Sequence, residues 1–162
     1  KFENDNIETL NIDSWDSHNN INLKAPLFLS KDFSKQMKKN APGLIINIID
    51  QRIFFPNPEF ISYTSSKQSL MWLTQTLAQA LSPQVRVCAI GPGPTLQGAR
   101  QSKKDFENQS LSTPLMVGSN PEEIYQAVKF IIDIPSFTGQ MITLDGGEHL
   151  DWIKKEDKNF KD

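Results

Sequence analysis

The chain has 162 residues, of which 38% are hydrophobic and 22% are charged, and its formal net charge at neutral pH is −2. This length suits one domain with a hydrophobic core of its own, and the near-neutral charge gives no basic excess of the kind typical of nucleic-acid binding. The sequence has no apolar run near the roughly 20 residues that cross a bilayer. One cysteine with two histidines allows neither an internal disulfide nor a Cys/His zinc cluster. We therefore expect a cytoplasmic protein without metal, nucleic-acid or membrane partners.

The first third of the chain predicts a loop, a helix and a strand. Residues 1–11 have loop character, and apolar residues then recur at roughly helical spacing over residues 12–39. Pro26 interrupts this pattern and predicts a kink. Residues 44–49 (LIINII) form a short β-branched run almost without polar residues. Such a run is typical of a central strand of a parallel sheet, buried on both faces.

The remaining two thirds of the chain continue this alternation of helices and strands. Residues 96–118 are polar and weakly patterned, which predicts a long loop with a short helix at most. We predict helices over residues 61–82 and 121–133, the second capped by Asn120, strands over residues 85–90 and 140–144, an irregular segment over residues 50–60, and a charged tail from Asp151.

Helices that alternate with strands imply right-handed crossovers, and they predict an α/β fold with a doubly wound, parallel, Rossmann-type sheet. Ligands of such sheets bind at the carboxyl ends of the strands. In this chain those ends lead into residues 50–60, residues 91–95 and the loop that begins at Asp145.

Tyr63 and Lys67 are candidates for acid–base chemistry because they lie four residues apart in a predicted helix. This spacing places the two side chains on one helix face, with Cβ atoms about 5–6 Å apart. An ammonium group beside a phenol favours the phenolate and lowers the tyrosine pKa, which would suit a general acid. A tyrosine and a lysine on the surface of an amphipathic helix give the same pattern.

Six sequence segments together resemble the short-chain dehydrogenase/reductase family, and the resemblance covers nearly the whole chain. They occur in family order and with family spacing: INLKAP (21–26), GLIINIID (43–50), YTSSK (63–67), RVCAIGPGPT (86–95), NPEEIYQAVKFII (120–132) and TGQMITLDGG (138–147). The resemblance implies a Rossmann-type NAD(P)H-dependent reductase of a small molecule, of which this chain is the C-terminal two-thirds.

The same resemblance implies a role for each matching residue. Tyr63 corresponds to the catalytic tyrosine, which donates a proton to the substrate as the hydride arrives. Lys67 corresponds to the lysine that lowers the tyrosine pKa and binds the nicotinamide ribose. Asn22 corresponds to the asparagine that holds a water of the proton relay. The segment that lies along the nicotinamide corresponds to Pro92, Gly93 and Thr95.

Asp50 departs from the usual family pattern, which has serine at this position. An ionised carboxylate cannot donate a hydrogen bond to a carbonyl oxygen, but it can bind an amino-heterocycle or relay a proton to a ring nitrogen. Aspartate at this position resembles the pteridine reductase and dihydromonapterin reductase branch, which reduces C=N bonds of pterins with NADPH. Phe2 corresponds to the aromatic residue that stacks on the pterin in that branch; an ordinary loop phenylalanine is an equal interpretation.

The family's glycine-rich dinucleotide loop is absent, because residues 91–96 lack its third glycine and contain two prolines without N–H donors. We therefore expect a partial reductase domain over residues 1–150, followed by a charged tail over residues 151–162. We also expect this chain alone to bind NADPH weakly and to turn over slowly. The cofactor implied is NADP(H), with NAD(H) as the alternative, because the residues that decide between them lie upstream of Lys1 in the family.

Several other residues receive less specific interpretations. Cys88 should be a buried core thiol, and His18 should be solvated on a polar helix turn. His149 could approach a pocket, that of a neighbouring subunit included. Phe54 and Phe55 fit either a substrate pocket or core packing. By resemblance, Arg100 and residues 103–105 belong to a loop that closes over the substrate.

Three functions remain open at this point: a pterin reductase, a carbonyl or alcohol oxidoreductase of the same family, and an inactive homologue that serves as a binding or scaffold subunit. The resemblance also implies a homotetramer, in which helices 12–39 and 61–82 form one interface. Trp72 and Leu73 give this expectation mild support, because both are apolar residues on a helix that already has a core face.

Overall fold

The computed structural model describes residues 2–38, 41–99 and 101–150. Expectations that rest on Lys39, Asn40, Arg100 or the tail 151–162 lie outside the described residues. Within the described ranges, no helix is both long and apolar enough to cross a membrane.

In chain order the elements are α1 (Ile12–Asn19), a π-helical turn (Asn20–Lys24), α2 (Ala25–Gln36), β1 (Gly43–Ile48), a 3-10 turn (Gln51–Phe54), α3 (Ile61–Ala80), β2 (Val85–Pro92), α4 (Lys103–Leu111), α5 (Pro121–Asp133), β3 (Met141–Leu144) and a second 3-10 turn (Glu148–Leu150).

The three strands form a parallel sheet in the order β1-β2-β3. Helices cover both faces of this sheet. Successive side chains of a strand point to opposite faces, so neighbouring residues of β2 pack against different helices. Cys88 and Ile90 of β2 pack against Ala127 and Ile131 of α5. On the other face, Ala89 packs with Leu70 of α3, and Val85 and Val87 pack with Ala78. The predicted doubly wound Rossmann-type α/β fold is thereby confirmed.

β2 is the central strand, whereas β1 lies at the edge of the sheet. Val87, Cys88, Ala89 and Ile90 are fully buried. Ile48 at the end of β1 is 47% exposed, since β1 pairs only with β2 among the described residues. The prediction of a strand buried on both faces is therefore right for β2 and wrong for β1.

The predicted kink at Pro26 takes the form of a π-helical turn. Proline has no N–H to donate to the carbonyl of the residue four positions earlier, so the regular α-helical ladder cannot pass through this point. Here the N–H of Ala25 donates to the carbonyl oxygen of Asn20, five residues earlier. The wider turn separates α1 from α2 and includes Asn22, which is buried.

Candidate active site

The carboxyl ends of β1 and β2 and the loop after β3 open into one cavity of about 1090 Å³. Asp50 follows β1, and Tyr63 and Lys67 come from the first turns of α3. Parallel strands bring these segments to one edge of the sheet, as the sequence predicts. The candidate residues that line the cavity are Phe2, Asp50, Tyr63, Lys67, Pro92, Gly93 and Thr95.

Tyr63 and Asp50 form the central pair of this cavity. They are 13 residues apart in the chain, and the Tyr63 hydroxyl donates a hydrogen bond of 2.7 Å to Oδ2 of Asp50. Oδ1 of Asp50 accepts the backbone N–H of Arg52 at 2.9 Å, which fixes the orientation of the carboxylate at the start of the 3-10 turn. Tyr63 is only 7% exposed, so the hydroxyl that donates this hydrogen bond is shielded from bulk water.

Lys67 extends past Tyr63 toward the end of β1. Its Nζ donates to the carbonyl oxygen of Ile48 at 2.8 Å and lies 5.8 Å from the centre of the Tyr63 ring. Burial lowers the pKa of Lys67, and the negative charge of Asp50 opposes this shift. The ammonium group therefore lies beside the phenol ring, as the four-residue spacing predicts.

The pKa of Tyr63 does not fall as we expected. Burial raises it first, and the charge of Asp50 and the hydrogen bond to Asp50 raise it further; among the groups that influence it, Arg52 is the one that lowers it. The expected lowering by Lys67 is thus wrong for this structure, because a carboxylate beside a buried phenol disfavours the phenolate. Tyr63 holds its proton at neutral pH.

One end of the cavity is aromatic. The rings of Phe2 and Phe60 stack with centres 4.9 Å apart and planes inclined by 10°, and the rings of Phe2 and Tyr63 form a T-shaped pair with centres 4.7 Å apart. Phe60 has a left-handed backbone with a φ of 58°, which is costly for a bulky side chain. Its N–H donates to the carbonyl oxygen of Asp5 at 2.6 Å, a contact that helps to hold this conformation.

Asn22 lies behind the cavity rather than on its wall. Its Nδ2 donates to Oγ of Ser66 at 3.1 Å, and Ser66 donates to the carbonyl oxygen of Tyr63. Asn22 lines a separate cavity of about 450 Å³ between α2 and β1, and Lys67 borders both cavities. The π-helical turn therefore connects to the backbone of Tyr63 through one serine.

The segment after β2 forms the opposite wall. Gly93 lies so close to the loop after β3 that a Cβ atom there would come within 2.6 Å of Cβ of Asp145. Thr95 donates to the carbonyl oxygen of Gly93 at 2.9 Å, and its hydroxyl lies 2.6 Å from that of Ser119. These bonds fix the turn that the resemblance assigns to the nicotinamide.

A buried polar network at the start of α3 escaped the sequence analysis. The carboxylate of Asp5 accepts hydrogen bonds from both the N–H and the hydroxyl of Ser62, and Nδ1 of His18 lies 2.7 Å from the same hydroxyl. His18 is fully buried, so the prediction that it is solvated is wrong. The sequence around His18 gave no sign of this network, because Ser62 lies 44 residues from His18 and 57 residues from Asp5.

The loop after β3 forms its own network beside the cavity. Asp145 is 3% exposed and accepts hydrogen bonds from the backbone N–H groups of Gly147 and His149, and its carboxylate lies 2.8 Å from Nδ1 of His149. The His149 ring packs on Phe54 with centres 5.4 Å apart. In the part of the chain that the structure describes, neither His149, Phe54 nor Phe55 lines the catalytic cavity.

Helix α4 closes another side of the cavity, within the segment that we expected to be mostly loop. Asp105, Phe106 and Gln109 of this helix line the cavity. The helix begins at a cap in which the Ser102 hydroxyl accepts the N–H of Asp105. This S-x-x-D spacing is a helix-start signal that the sequence analysis overlooked.

A Rossmann-type fold with Tyr63 and Lys67 at the mouth of a cavity defines a class of dinucleotide-dependent proteins. The sequence model of the "short chain dehydrogenase" family matches residues 3–108. The chain therefore belongs to the short-chain dehydrogenase/reductase family.

Two curated relatives illustrate this membership. "Dehydrogenase/reductase SDR family member 4" of Homo sapiens is 31% identical over 140 residues, which cover 82% of this chain and 50% of the relative. "3-oxoacyl-[acyl-carrier-protein] reductase FabG" of Rickettsia bellii is 30% identical over 140 residues, which cover 83% of this chain and 58% of the relative. The chain thus spans about half the length of the curated relatives that it matches.

Solved structures give a closer likeness. "FolM Alternative dihydrofolate reductase 1 from Brucella suis in complex with NADP" superposes with a TM-score of 0.92 at 45% identity, covering 95% of this chain and 62% of that one. "4-hydroxyisoleucine dehydrogenase complexed with NADH" superposes with a TM-score of 0.80 at 25% identity, covering 91% and 64%.

Proposed function

We propose that this chain carries the catalytic site of an NADPH-dependent reductase that reduces a C=N bond of a pterin. The observation that carries this proposal is the hydrogen bond from Tyr63 to Asp50 inside the cavity. Aspartate stands where most of the family has serine, and a carboxylate suits the N–H donors of a pterin edge. The likeness to an alternative dihydrofolate reductase supports the same substrate class.

In this proposal Tyr63 and Asp50 act together on the proton. Tyr63 is the general acid, and its raised pKa keeps the phenol protonated at neutral pH. Asp50 orients the phenol, accepts an N–H hydrogen bond from the substrate ring, and could relay a proton to a ring nitrogen. Lys67 lies beside the phenol ring and would bind the nicotinamide ribose, as the family resemblance implies. Asn22 acts as a positioning residue through Ser66.

The described residues fit the nicotinamide half of the cofactor. The cavity extends from Lys67 and Tyr63 to the turn that contains Pro92, Gly93 and Thr95, which places a cation, a phenol and a fixed backbone turn in one cavity. The cofactor would supply a hydride. We propose NADP(H), with NAD(H) as the alternative, because the structural neighbours contain NADP in one case and NADH in another.

A carbonyl or alcohol oxidoreductase is the second candidate. It is supported by the relatives whose names refer to 3-oxoacyl reduction, such as the protein of Rickettsia bellii. An inactive scaffold homologue is the third candidate, and the intact set of Asn22, Tyr63 and Lys67 argues against it.

We also propose that residues 1–150 form the reductase domain, that residues 151–162 form a tail, and that the protein works in the cytoplasm as a homotetramer. Exposed apolar residues on the two helices predicted for the interface support the assembly: Leu29 is 70% exposed and Trp72 is 64% exposed. Helix α4 would close over the substrate.

The Asp50→Ser variant separates the first two functions. Serine keeps a hydroxyl for a carbonyl substrate but removes the carboxylate, so we expect kcat/KM for a dihydropterin to fall about 100-fold or more. Turnover of a ketone should persist or rise. The measurement is the rate of NADPH oxidation by the complete protein with each substrate.

Asp50→Asn is a second test of the carboxylate, because it retains the size of the side chain and removes its ability to carry a proton. It should lose pterin reduction as Asp50→Ser does. Retention of full pterin turnover in both variants would contradict the proposal and favour the carbonyl reductase.

A further inference from the structure

Arg52 is a cation inside the catalytic cavity that the mechanism above does not use. It lies two residues after Asp50, on the 3-10 turn that the Asp50 carboxylate caps, and it is half-buried. Among the residues that the structure describes, none accepts a hydrogen bond from its guanidinium, and none forms an ion pair with it. The guanidinium N–H donors are not buried, so they are accessible from the cavity and available to an anionic ligand.

The guanidinium is held by its face. Its Cζ lies 4.8 Å from the centre of the Phe60 ring and 5.9 Å from that of Phe2, within the range of a cation–π contact. A guanidinium that stacks on a ring through its face keeps the N–H donors in its plane available for binding. These donors form a fork that matches a planar carboxylate, which it binds by two parallel hydrogen bonds.

Backbone and side-chain hydrogen bonds hold Phe60, one of the two rings that contact the guanidinium, in place. Phe60 keeps its left-handed backbone, and its N–H is held by the carbonyl oxygen of Asp5, whose side chain is in turn fixed by Ser62. Phe2 packs between Phe60 and Tyr63. The cation is thus placed at a defined position relative to the reacting phenol.

We propose that Arg52 binds a carboxylate on the side chain of the substrate, so that the site selects dihydropterins with an acidic tail over those with a neutral tail. This inference rests on the proposed function. Asp50 and Tyr63 would bind the ring, and Arg52 would bind the tail two residues further along the chain. The aromatic pair Phe2 and Phe60 offers an apolar surface beside the cation, which suits a tail with an aromatic linker.

A phosphate of the cofactor is the other anion that this guanidinium could bind. The position of Arg52 favours the substrate, because Arg52 belongs to the turn after β1 that also contains Asp50. The turn assigned to the nicotinamide comes instead from the end of β2.

The test compares two substrates of the complete protein, 7,8-dihydrofolate with its benzoyl-glutamate tail and 7,8-dihydrobiopterin with its neutral tail. The readout is the ratio of kcat/KM for the first to that for the second. In Arg52→Gln this ratio should fall about 10- to 100-fold, the range for a lost hydrogen bond between charged groups. Arg52→Lys should give an intermediate ratio, because it keeps the charge without the planar fork.

Lys31→Gln is the matched control. Lys31 is also a cation stacked on a phenylalanine, 5.2 Å from the centre of the Phe28 ring, but it lies on the exposed face of α2 away from the cavity. This variant makes the same change in net charge and should leave the ratio as it is in the parent protein.

The outcomes distinguish the inference from the function on which it rests. If dihydropterins are reduced and the ratio in Arg52→Gln equals that of the parent protein, the inference is wrong and the proposed function stands. A rise in KM for NADPH with an unchanged ratio assigns the guanidinium to the cofactor and overturns the inference as well. If the parent protein reduces neither dihydropterin, the proposed function fails and the inference fails with it.

Discussion

The residue on which the proposed chemistry depends is Tyr63, and its surroundings favour the phenol over the phenolate. Burial and the neighbouring Asp50 raise the pKa of Tyr63, so the phenol stays protonated and donates to the carboxylate. Lys67 lies beside the phenol ring, and the charge of Arg52 opposes part of the rise in the Tyr63 pKa. In the proposed reaction, the phenol would release its proton to a group that becomes basic as the substrate is reduced.

Glu148 is a second acid at the wall of the cavity, and its pH dependence can be predicted. Burial raises its pKa, Asp50 and Asp145 raise it further, and Arg52 and a hydrogen bond from Gln109 oppose the shift. Because the folded-state pKa lies above the unfolded value, the folded state binds the proton more tightly. The free energy of unfolding should therefore fall as the pH rises from the ordinary carboxyl value, about 4.3, through the raised value.

We expect Glu148→Gln to be more stable than the parent protein above this pH window and to lose that advantage below it. Glutamine resembles the protonated carboxyl and has no ionised form to penalise. The measurement is urea unfolding at about pH 4 and about pH 8. The exposed Glu8→Gln is the control, and an advantage of Glu148→Gln that is independent of pH would contradict the assignment.

At the scale of the elements, Arg86 of β2 connects the sheet to the end of α5. Its guanidinium donates to the carbonyl oxygens of Ile131, Ile132, Ile134 and Phe137. The last carbonyls of a helix have no partner within the helix, and a cation at this end also opposes the negative end of the helix dipole. The Arg86 side chain thus caps the last carbonyls of α5 and holds the turn that leads to β3.

Arg86→Ala should lower the free energy of unfolding by about 2–3 kcal/mol, since several carbonyls lose a charged donor. Equilibrium unfolding in urea measures this loss. Lys129→Ala removes a positive charge from the exposed face of the same helix, where Lys129 only approaches the Tyr125 ring, and should change stability little. Equal losses in the two variants would show that Arg86 is not the group that ends the helix.

Elements with a strong periodic pattern were predictable from the sequence, and contacts between distant segments were not. The three strands and α3 lie within one or two residues of their predicted bounds, because β-branched runs and prolines define them locally. Helix α4 was missed in part because its sequence, KKDFENQSL, is almost wholly polar. The burial of His18 depends on the Ser62 hydroxyl and on the backbone N–H of Glu3, partners that no local pattern indicates.

The candidate site could be predicted to the same extent. A parallel sheet places the ends of its strands at one edge, so Asp50, Tyr63 and the turn at Gly93 were expected to meet, and they do. The role of Arg52 could not be read from the sequence, because it depends on two stacked rings that come from separate segments.

At the scale of the whole molecule, the central feature is the cavity that the strand ends and their loops share. Its walls come from the loops after all three strands and from helices α3 and α4. The cavity is lined by a fixed turn, a partly buried ammonium, aromatic rings and a guanidinium. The phenol–carboxylate pair belongs to the same cavity, which is the arrangement expected of a site that brings a cofactor and a heterocyclic substrate together.

The most direct test of this account is the rate of NADPH oxidation that depends on 7,8-dihydrobiopterin, measured for the complete protein and for Tyr63→Phe. Phenylalanine keeps the ring that meets Phe2 and removes only the hydroxyl that donates to Asp50. We predict that kcat falls about 100-fold or more while the Kd for NADPH changes little. A variant that oxidises NADPH with the dihydropterin as fast as the parent protein would show that Tyr63 is not the acid.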